Sequence, residues 1–358
     1  MMKKYQDLAT KLCTWLSTLN PGDMLPPEAD LMVKFSASRN TLRSAMALLR
    51  KDGLIASRSG FGTQLLRRHR IPASVSLVQV ILPDQGDAFW YGILEGINSA
   101  LLSTNYRVVF NNSYDDPVTN RELVEQAAVT GMHGVIMMGH HHSYEGWDPE
   151  SIQDLPPIVY VDNPPPSHRG AYVATDDEAG GYAITRHIIA AGHKKILHLA
   201  GHNCPSHQAR LQGYIRAMRD AGLEFDIAGG HASQKDGEKA AAWLLKDRSQ
   251  DLPTAVLGCN DHVAIGLALG LKSAGISIPD QISVAGYADI EGAMLKAGVM
   301  LTTVRQDAQA IGRSAAELLL KKLNGQRADR PVFLPVSLIE RGSIRNLKEE
   351  AKASRKKA

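Results

Sequence analysis

Pro26-Pro-Glu-Ala-Asp-Leu-Met-Val-Lys-Phe-Ser-Ala-Ser-Arg-Asn-Thr-Leu-Arg43, continued by SAMALLRKDGLIASRSGFGT to Thr63, is the stretch on which the reading of the chain turns. It reads as two short helices, a tight corner and a small β-hairpin. Pro27 and Glu28 suit a first helical turn, where a missing N–H costs nothing and a negative charge meets the positive helix end. Leu31, Met32 and Phe35 make one apolar stripe. Ser36 and Ala37 form the corner, and Ser38 is placed to cap the next helix. Leu42, Ala45, Met46 and Leu49 follow at i, i+3, i+4 and i+7, which predicts a buried face. Arg39, Asn40, Thr41 and Arg43 are left near the N-terminus of that helix, pointing elsewhere. Guanidinium and amide groups at the entering end are how a recognition helix presents itself to a major groove. Gly53 can end the helix in a left-handed conformation. Residues 54–57 and 64–66 would be the strands of a wing, with Arg58-Ser-Gly-Phe-Gly62 its tip.

This stretch resembles the winged helix-turn-helix of the GntR family of bacterial repressors. The matching words are Gly22-Asp-Met-Leu-Pro26, Ser38-Arg-Asn-Thr-Leu-Arg43, Lys51-Asp-Gly-Leu-Ile55 and Gly60-Phe-Gly-Thr63, in the family's order and spacing. The resemblance implies that Ser38, Arg39, Asn40, Thr41 and Arg43, with Gly60 and Gly62 of the wing, contact double-stranded DNA. Many members carry a basic or polar residue after Pro-x-Glu; Ala29 stands there here and supplies no such contact.

A length of 358 residues calls for two or three domains, and the apolar share of 44% is that of an ordinary globular protein. The net charge of +3 hides an asymmetry: through Arg70 there are twelve basic residues against five acidic ones, so the remainder is mildly acidic. A basic head on an acidic body fits a polyanion partner for the head alone. Cys13, Cys204 and Cys259 are widely spaced, with neither a metal spacing nor a disulfide framework, which suits a reducing compartment. No apolar run follows Lys3 and Lys4, so neither a signal peptide nor a membrane span is expected, and the location expected is cytoplasmic.

A helix marked by Tyr5, Leu8, Leu12, Trp15, Leu16 and Leu19 precedes the head's core stretch, and Arg67-Arg-His-Arg-Ile-Pro72 reads as a linker. From Val75 the rhythm becomes strand then helix. Strands are expected at 76–82, 106–110, 134–138, 158–161, 172–174, 195–200, 255–258 and 282–286. Helices are expected at 89–102, 120–129, 179–191, 208–221, 237–246 and 262–274. Such alternation predicts α/β architecture with parallel, doubly wound sheets and ligands at the strand C-terminal ends. The length points to two lobes, and the charged end from 347 to 358 reads as a tail.

The second part resembles the sensor domain of the LacI/GalR repressors and the related periplasmic sugar-binding proteins. The words are Gly192-His-Lys-Lys-Ile196, Arg210-Leu-Gln-Gly-Tyr214, Cys259-Asn-Asp-His-Val-Ala-Ile-Gly266, Gly275-Ile-Ser-Ile-Pro-Asp-Gln-Ile-Ser-Val-Ala-Gly-Tyr287, Leu301-Thr-Thr-Val-Arg-Gln306 and Leu338-Ile-Glu-Arg-Gly-Ser343. The resemblance implies a winged helix domain at 1–70 and a two-lobed, periplasmic-binding-protein-like domain at 71–346, with crossovers near 175, 305 and 335. A GntR-type head on a LacI-type body has a precedent among the repressors of bacilli. The family's pocket residues map onto Arg210, Asn260 and Gln306, its stacking aromatic falls near His231, and Asp162 matches the acidic position of the first lobe. The acidic residue that the family carries after Gly-Tyr is here Ala288, with Asp289 following. The residues themselves suit sugar recognition: Arg210 supplies a fork of donors, and Asn260, Asp261 and Asp289 lie just past strand ends, where Asn260 and Asp261 also suit a helix N-cap. Phe89, Trp90 and Tyr91 open the first helix of the lobe at a strand end, where such residues are more often core than ligand wall; Phe89 and Trp90 are the candidates for the wall. Gly139-His-His-His-Ser143 reads as a loop at the cleft mouth rather than a metal site.

The function expected is a ligand-responsive transcriptional regulator, a repressor, acting as a homodimer on a palindromic operator. Its effector is a sugar or sugar derivative; no cofactor, metal or membrane is expected. The alternatives are a solute-binding protein, which the head and the absent signal peptide oppose, and an α/β enzyme using His262 or His231 beside Asp261. No nucleophile elbow or phosphate loop supports the enzyme.

Overall fold

The structure is a computed structural model and describes residues 4–16, 19–51, 53–58, 62–66, 75–83, 88–140 and 142–349. It falls into two compact units, Met1–Val75 and Ser76–Ala358.

The first unit consists of α1 (Lys4–Leu16), α2 (Glu28–Lys34), α3 (Arg39–Lys51) and the hairpin β1 (Ile55–Arg58) with β2 (Gly62–Leu65). The helical stripe of α3 is the core: Leu42 and Ala45 are 0% exposed, Met46 and Leu49 1%. Ser38 Oγ accepts the Thr41 N–H at 3.3 Å, capping α3. Gly53, at φ +64°, turns the chain out of the helix. In the hairpin Ile55 faces Leu65, and both are buried against the helices. The wing tip at 59–61, with Gly60, and the linker at 67–74 lie outside the described residues.

The second unit begins with β3 (Ser76–Leu82), α4 (Ala88–Leu101), β4 (Tyr106–Asn112), α5 (Pro117–Val129), β5 (Gly134–Gly139), β6 (Ile158–Asp162) and β7 (Val173–Thr175). It continues with α6 (Asp177–Ala190), β8 (Ile196–Leu199), α7 (Pro205–Asp220), β9 (Asp226–Ala228), α8 (Gln234–Asp247), β10 (Ala255–Gly258), α9 (Asp261–Ser273), β11 (Ser283–Ala285), α10 (Glu291–Ala297) and β12 (Thr303–Gln306). It closes with α11 (Ala308–Leu323), β13 (Val332–Leu334) and β14 (Val336–Ile339). One parallel sheet runs β13-β7-β6-β5-β3-β4 and the other β11-β10-β8-β9. The inner strands β3, β5, β8 and β10 are covered on both faces, which is why they are nearly continuous apolar runs rather than alternating ones. Val78 and Val80 pack under α4 and α11, whereas Ile81, Val135 and Met137 pack under α5. In the second lobe Leu197 and Val256 face α8 and α9, and Ile196 and Ala255 face α6 and α7.

The chain leaves the first sheet after β7, returns after β12 into α11, and leaves again between β13 and β14. Strands β12 and β14 pair antiparallel between the two lobes. Helix α11 is absent from the periodicity reading because much of its buried face is small: Gly312, Ala315 and Ala316 pack with Ile311 and Leu319. A Cβ on Gly312 would lie 2.0 Å from the Ile93 carbonyl oxygen, so α11 and α4 meet backbone to backbone. Most of the tail, from residue 350, lies outside the described residues.

The packing that matters most for the site is α6 on α7. A Cβ on Gly213 would sit 2.3 Å from the Glu178 carbonyl oxygen and 2.5 Å from the Tyr182 nitrogen. Gly213→Ala therefore forces the helices apart and should destabilise the body by about 1–3 kcal/mol, as overpacking does. Gly229→Ala, with nothing within 4 Å of the added carbon, should stay within about 0.5 kcal/mol. Denaturant unfolding of both variants checks this, and equal stabilities would contradict it.

Candidate functional site

Two surfaces carry chemistry, one on each unit. On the first, Ser38, Arg39, Asn40 and Arg43 are exposed and Thr41 is half-buried, all on the opening turns of α3. Arg43 is held by α2: its Nε donates to Glu28 Oε2 at 3.1 Å, with side chains 62% and 37% exposed. At such exposure this pair orients the guanidinium more than it stabilises the fold. Gly62, at φ +91°, opens the second wing strand where a side chain would be strained and would press on Met24. The first unit thus brings five of the seven predicted DNA contacts to one helix end and Gly62 to the wing.

On the second unit, the loops at the C-terminal ends of both parallel sheets enclose a cleft of ≈ 530 Å³, a volume usual for small-molecule sites. The first lobe contributes Phe89, Trp90, Tyr114, Asp115, His140 and Asp162 to its lining. The second contributes Ser206, His207, Arg210, Gln234, Asn260 and His262. Phe89 and Trp90 meet edge to face with centroids 5.0 Å apart, and Trp90 stands edge-on to His140 at 6.0 Å. Trp90 is 6% exposed, packs in the first-lobe core and also lines the cleft. Asp115 is set by a loop with positive φ at Tyr114 and itself, and its carboxylate takes His140 Nδ1 at 2.9 Å and the Ser143 hydroxyl at 3.0 Å.

Arg210 is not a surface ion pair. Its Nε donates to Asp177 Oδ1 at 2.9 Å and its Nη1 to the Cys259 carbonyl at 3.0 Å, and its guanidinium lies 4.1 Å from the Tyr287 ring centroid. Burial works to lower its pKa, but Asp177, Tyr287 and Asp162 together hold it above the ordinary value. Asp162 ends β6 at φ +68°. Burial, then the Asp177 carboxylate, pushes its pKa up to about 6 against the pull of Arg210 and His140. Asn260 caps α9: its Oδ1 accepts the Val263 N–H and its Nδ2 donates to the Ala232 carbonyl, both at 2.9 Å. Gln306 lines the cleft where two crossovers meet, its Nε2 donating to Thr175 Oγ1 at 2.7 Å.

Three sequence expectations require correction. Asp289 does not face the cleft. Positive φ at Ala288 (115°) and Asp289 (61°) turns the backbone so that Ala288 lines the cavity. The Asp289 carboxylate, 3% exposed, is held instead by Arg305 at 2.5 Å and Arg341 at 2.6 Å. His231 sits beside the cleft rather than in its lining, which at that loop is made by Ala232, Ser233 and Gln234. Asp261 is wholly buried, accepting the Ile290 N–H at 2.8 Å and the Thr303 hydroxyl at 2.7 Å, so it secures the cleft floor. Sequence reasoning passed over Asn163, Ser206 and Gln234; each follows a strand end or opens a helix, which was the available signal. Among the described residues no three His, Cys, Asp or Glu side chains converge as metal ligands. Nor is any helix among them long and apolar enough to cross a membrane.

Comparisons with known proteins fit this division. Residues 4–65 match the bacterial regulatory proteins of the gntR family, and residues 185–344 match a periplasmic binding protein-like domain. The arabinose metabolism transcriptional repressor of Geobacillus stearothermophilus is 24% identical over 367 residues, covering 97% of this chain and 99% of the relative. The HTH-type transcriptional repressor PurR of Vibrio vulnificus is 28% identical over 280 residues, 75% of this chain and 81% of its own. A solved complex of the transcriptional regulator CelR with cellobiose is 25% identical, covering 86% of this chain and 91% of that one, with a TM-score of 0.67. A LacI family transcriptional regulator from Enterococcus faecium with bound ribose is 26% identical over 76% of this chain and 100% of its own, with a TM-score of 0.66.

Arg43→Ala should weaken binding to an operator selected from random duplexes by about 1–3 kcal/mol, the worth of a side chain reading a base. Anisotropy titrations decide this, and unaltered affinity would remove Arg43 from the interface. The cleft gives a pH prediction. Because the folded Asp162 holds its proton to a higher pH than the unfolded one, its contribution to stability is present near pH 4 and lost as pH rises towards 6. The melting temperature of Asp162→Asn minus that of wild type should therefore rise from pH 4 to 6 and level off above. A difference independent of pH would contradict the assignment.

Proposed function

We propose that this chain, a gntR-type DNA-binding head joined to a periplasmic binding protein-like body, is a ligand-responsive transcriptional repressor whose effector occupies the cleft between the lobes. The observation that carries the reading is that one chain holds both parts intact. The polar end of α3 is exposed on a winged helix. The body places a lined cavity at the C-terminal ends of two parallel sheets, where α/β folds take ligands. The effector is a sugar or sugar derivative. Its hydroxyls meet Asp162, Asn260, Gln234 and Arg210, and its apolar face meets Phe89 or Trp90. The neighbours bound to cellobiose and ribose support that class.

A homodimer in the cytoplasm is part of the same reading, since a palindromic operator asks for two recognition helices related by a two-fold axis. Against the enzyme alternative stands Asp261, whose two oxygens are engaged by the loop at Ile290 and by Thr303; of its two candidate histidines, His262 lines the cleft and His231 does not. Effector control works through unequal affinity for the two placements of the lobes, because a ligand that binds both equally shifts nothing.

The test is operator affinity with and without the effector found by screening mono- and disaccharides. Phe89→Ala and Gln234→Ala should keep wild-type operator affinity, and should require at least about tenfold more effector for the same response, the equivalent of about 1.4 kcal/mol. Wild-type response in both variants would place the effector elsewhere.

A further inference from the structure

Helix α7, which carries Arg210, has an incomplete N-terminus. Cys204 occupies the cap position in an extended conformation, and its thiol, a weak acceptor facing the His207 N–H, leaves the Ser206 N–H unserved. Pro205, the first helical residue, has no N–H to satisfy. The next amide is satisfied from the other lobe: Ser206 N–H donates to Asn163 Oδ1 at 2.9 Å. Asn163 follows β6 of the first lobe and is 2% exposed. Its Nδ2 donates to Asp162 Oδ2 at 2.7 Å, which together with the facing Ser206 N–H fixes which way the amide points. The segment is locked in place from behind as well. A Cβ on Gly139 would fall 1.7 Å from the Asn163 carbonyl oxygen, so the end of β5 admits no side chain there. A second contact crosses the cleft mouth, where the rings of His142 and His202 stand 5.6 Å apart.

We propose that Asn163 is a closing latch: a first-lobe side chain caps the Ser206 N–H of the second-lobe helix that bears Arg210, so this cap forms only when the lobes meet. A side chain on the same lobe would stabilise α7 equally well in every placement of the lobes. A cap borrowed across the cleft stabilises it only when the lobes are together, and so converts helix capping into lobe closure. The latch also sets Arg210, one turn further along α7, opposite Asp162. For regulation this rests on the reading of the cleft as the effector site. An effector then meets a body already biased towards the closed form, and needs correspondingly less differential affinity to complete the shift.

The experiment uses the full chain without ligand. Spin labels go on Glu122→Cys in α5 and Lys239→Cys in α8, both exposed, while the native Cys13, Cys204 and Cys259 are buried. Pulsed dipolar spectroscopy then reads the distance between the lobes. Wild type should give mainly the short distance. Asn163→Ala should raise the open-to-closed ratio about tenfold, the effect of losing a side-chain cap. Cys204→Ser, which gives α7 a cap of its own, should raise the ratio without lowering the melting temperature, an outcome that a merely structural role for Asn163 would not produce. A distribution in Asn163→Ala identical to wild type overturns the latch; if that variant does not fold, an unchanged distribution in Cys204→Ser does so. The sensor reading fails separately: lobes that open in either variant while operator affinity stays constant would leave the latch standing and uncouple the cleft from the head.

Discussion

The Arg210–Asp177 pair is the interaction on which the body's geometry depends. It joins α7 to α6 with side chains 7% and 3% exposed, beneath a cleft walled by helix ends, strand ends and loops. A charge so buried must be compensated, and removing one partner of such a pair costs about 3–5 kcal/mol. That cost explains the company it keeps. Tyr287 lies on the guanidinium, the Cys259 carbonyl takes an Nη1 proton, and glycines let α6 and α7 approach until their backbones touch. Arg210 presents what remains of its surface to the cavity, so it acts as scaffold and ligand wall at once. Truncating it would confound the two roles, which is why Phe89 and Gln234 are the better probes of the effector.

Three chain connections join the lobes. Gln306 and Thr175 tie two of them by a buried hydrogen bond, and β12 pairs with β14 between the sheets. Asp289 braces the same region by joining Arg305 on β12 to Arg341 beyond β14. Strain at Ala288 sits at the junction of cleft and brace: its φ of 115° is rare for any side chain and is held by the parallel bridge to Arg305. A ligand pressing on Ala288 therefore acts on a segment bonded to the hinge.

The head was legible because helical period and capping chemistry act within a few residues of sequence. Leu42, Ala45, Met46 and Leu49 fall where a 3.6-residue repeat puts them, and Ser38 caps where a Ser before an apolar run should. Most strands of the body were legible for a related reason, since each is a short apolar run between turn residues. Legibility ended where the fold brings distant segments together. Nothing local says that Asp289 turns away from the cavity, because its direction is set by two consecutive positive-φ residues and by Arg305 of β12 and Arg341 beyond β14. The cap on α7 was hidden likewise, its acceptor lying 43 residues earlier in the chain. Helix α11 escaped because Gly312, Ala315 and Ala316 dilute the large apolar residues Ile311, Leu318 and Leu319 on its buried face.

Cleft and operator can be compared directly by hydrogen exchange on the full chain, run beside operator anisotropy across the saccharide panel. Every compound that changes operator affinity should also slow exchange at residues 162–163 and 204–210, the two segments that meet across the cleft. A compound that changes operator affinity while leaving exchange in both segments unaltered would contradict this.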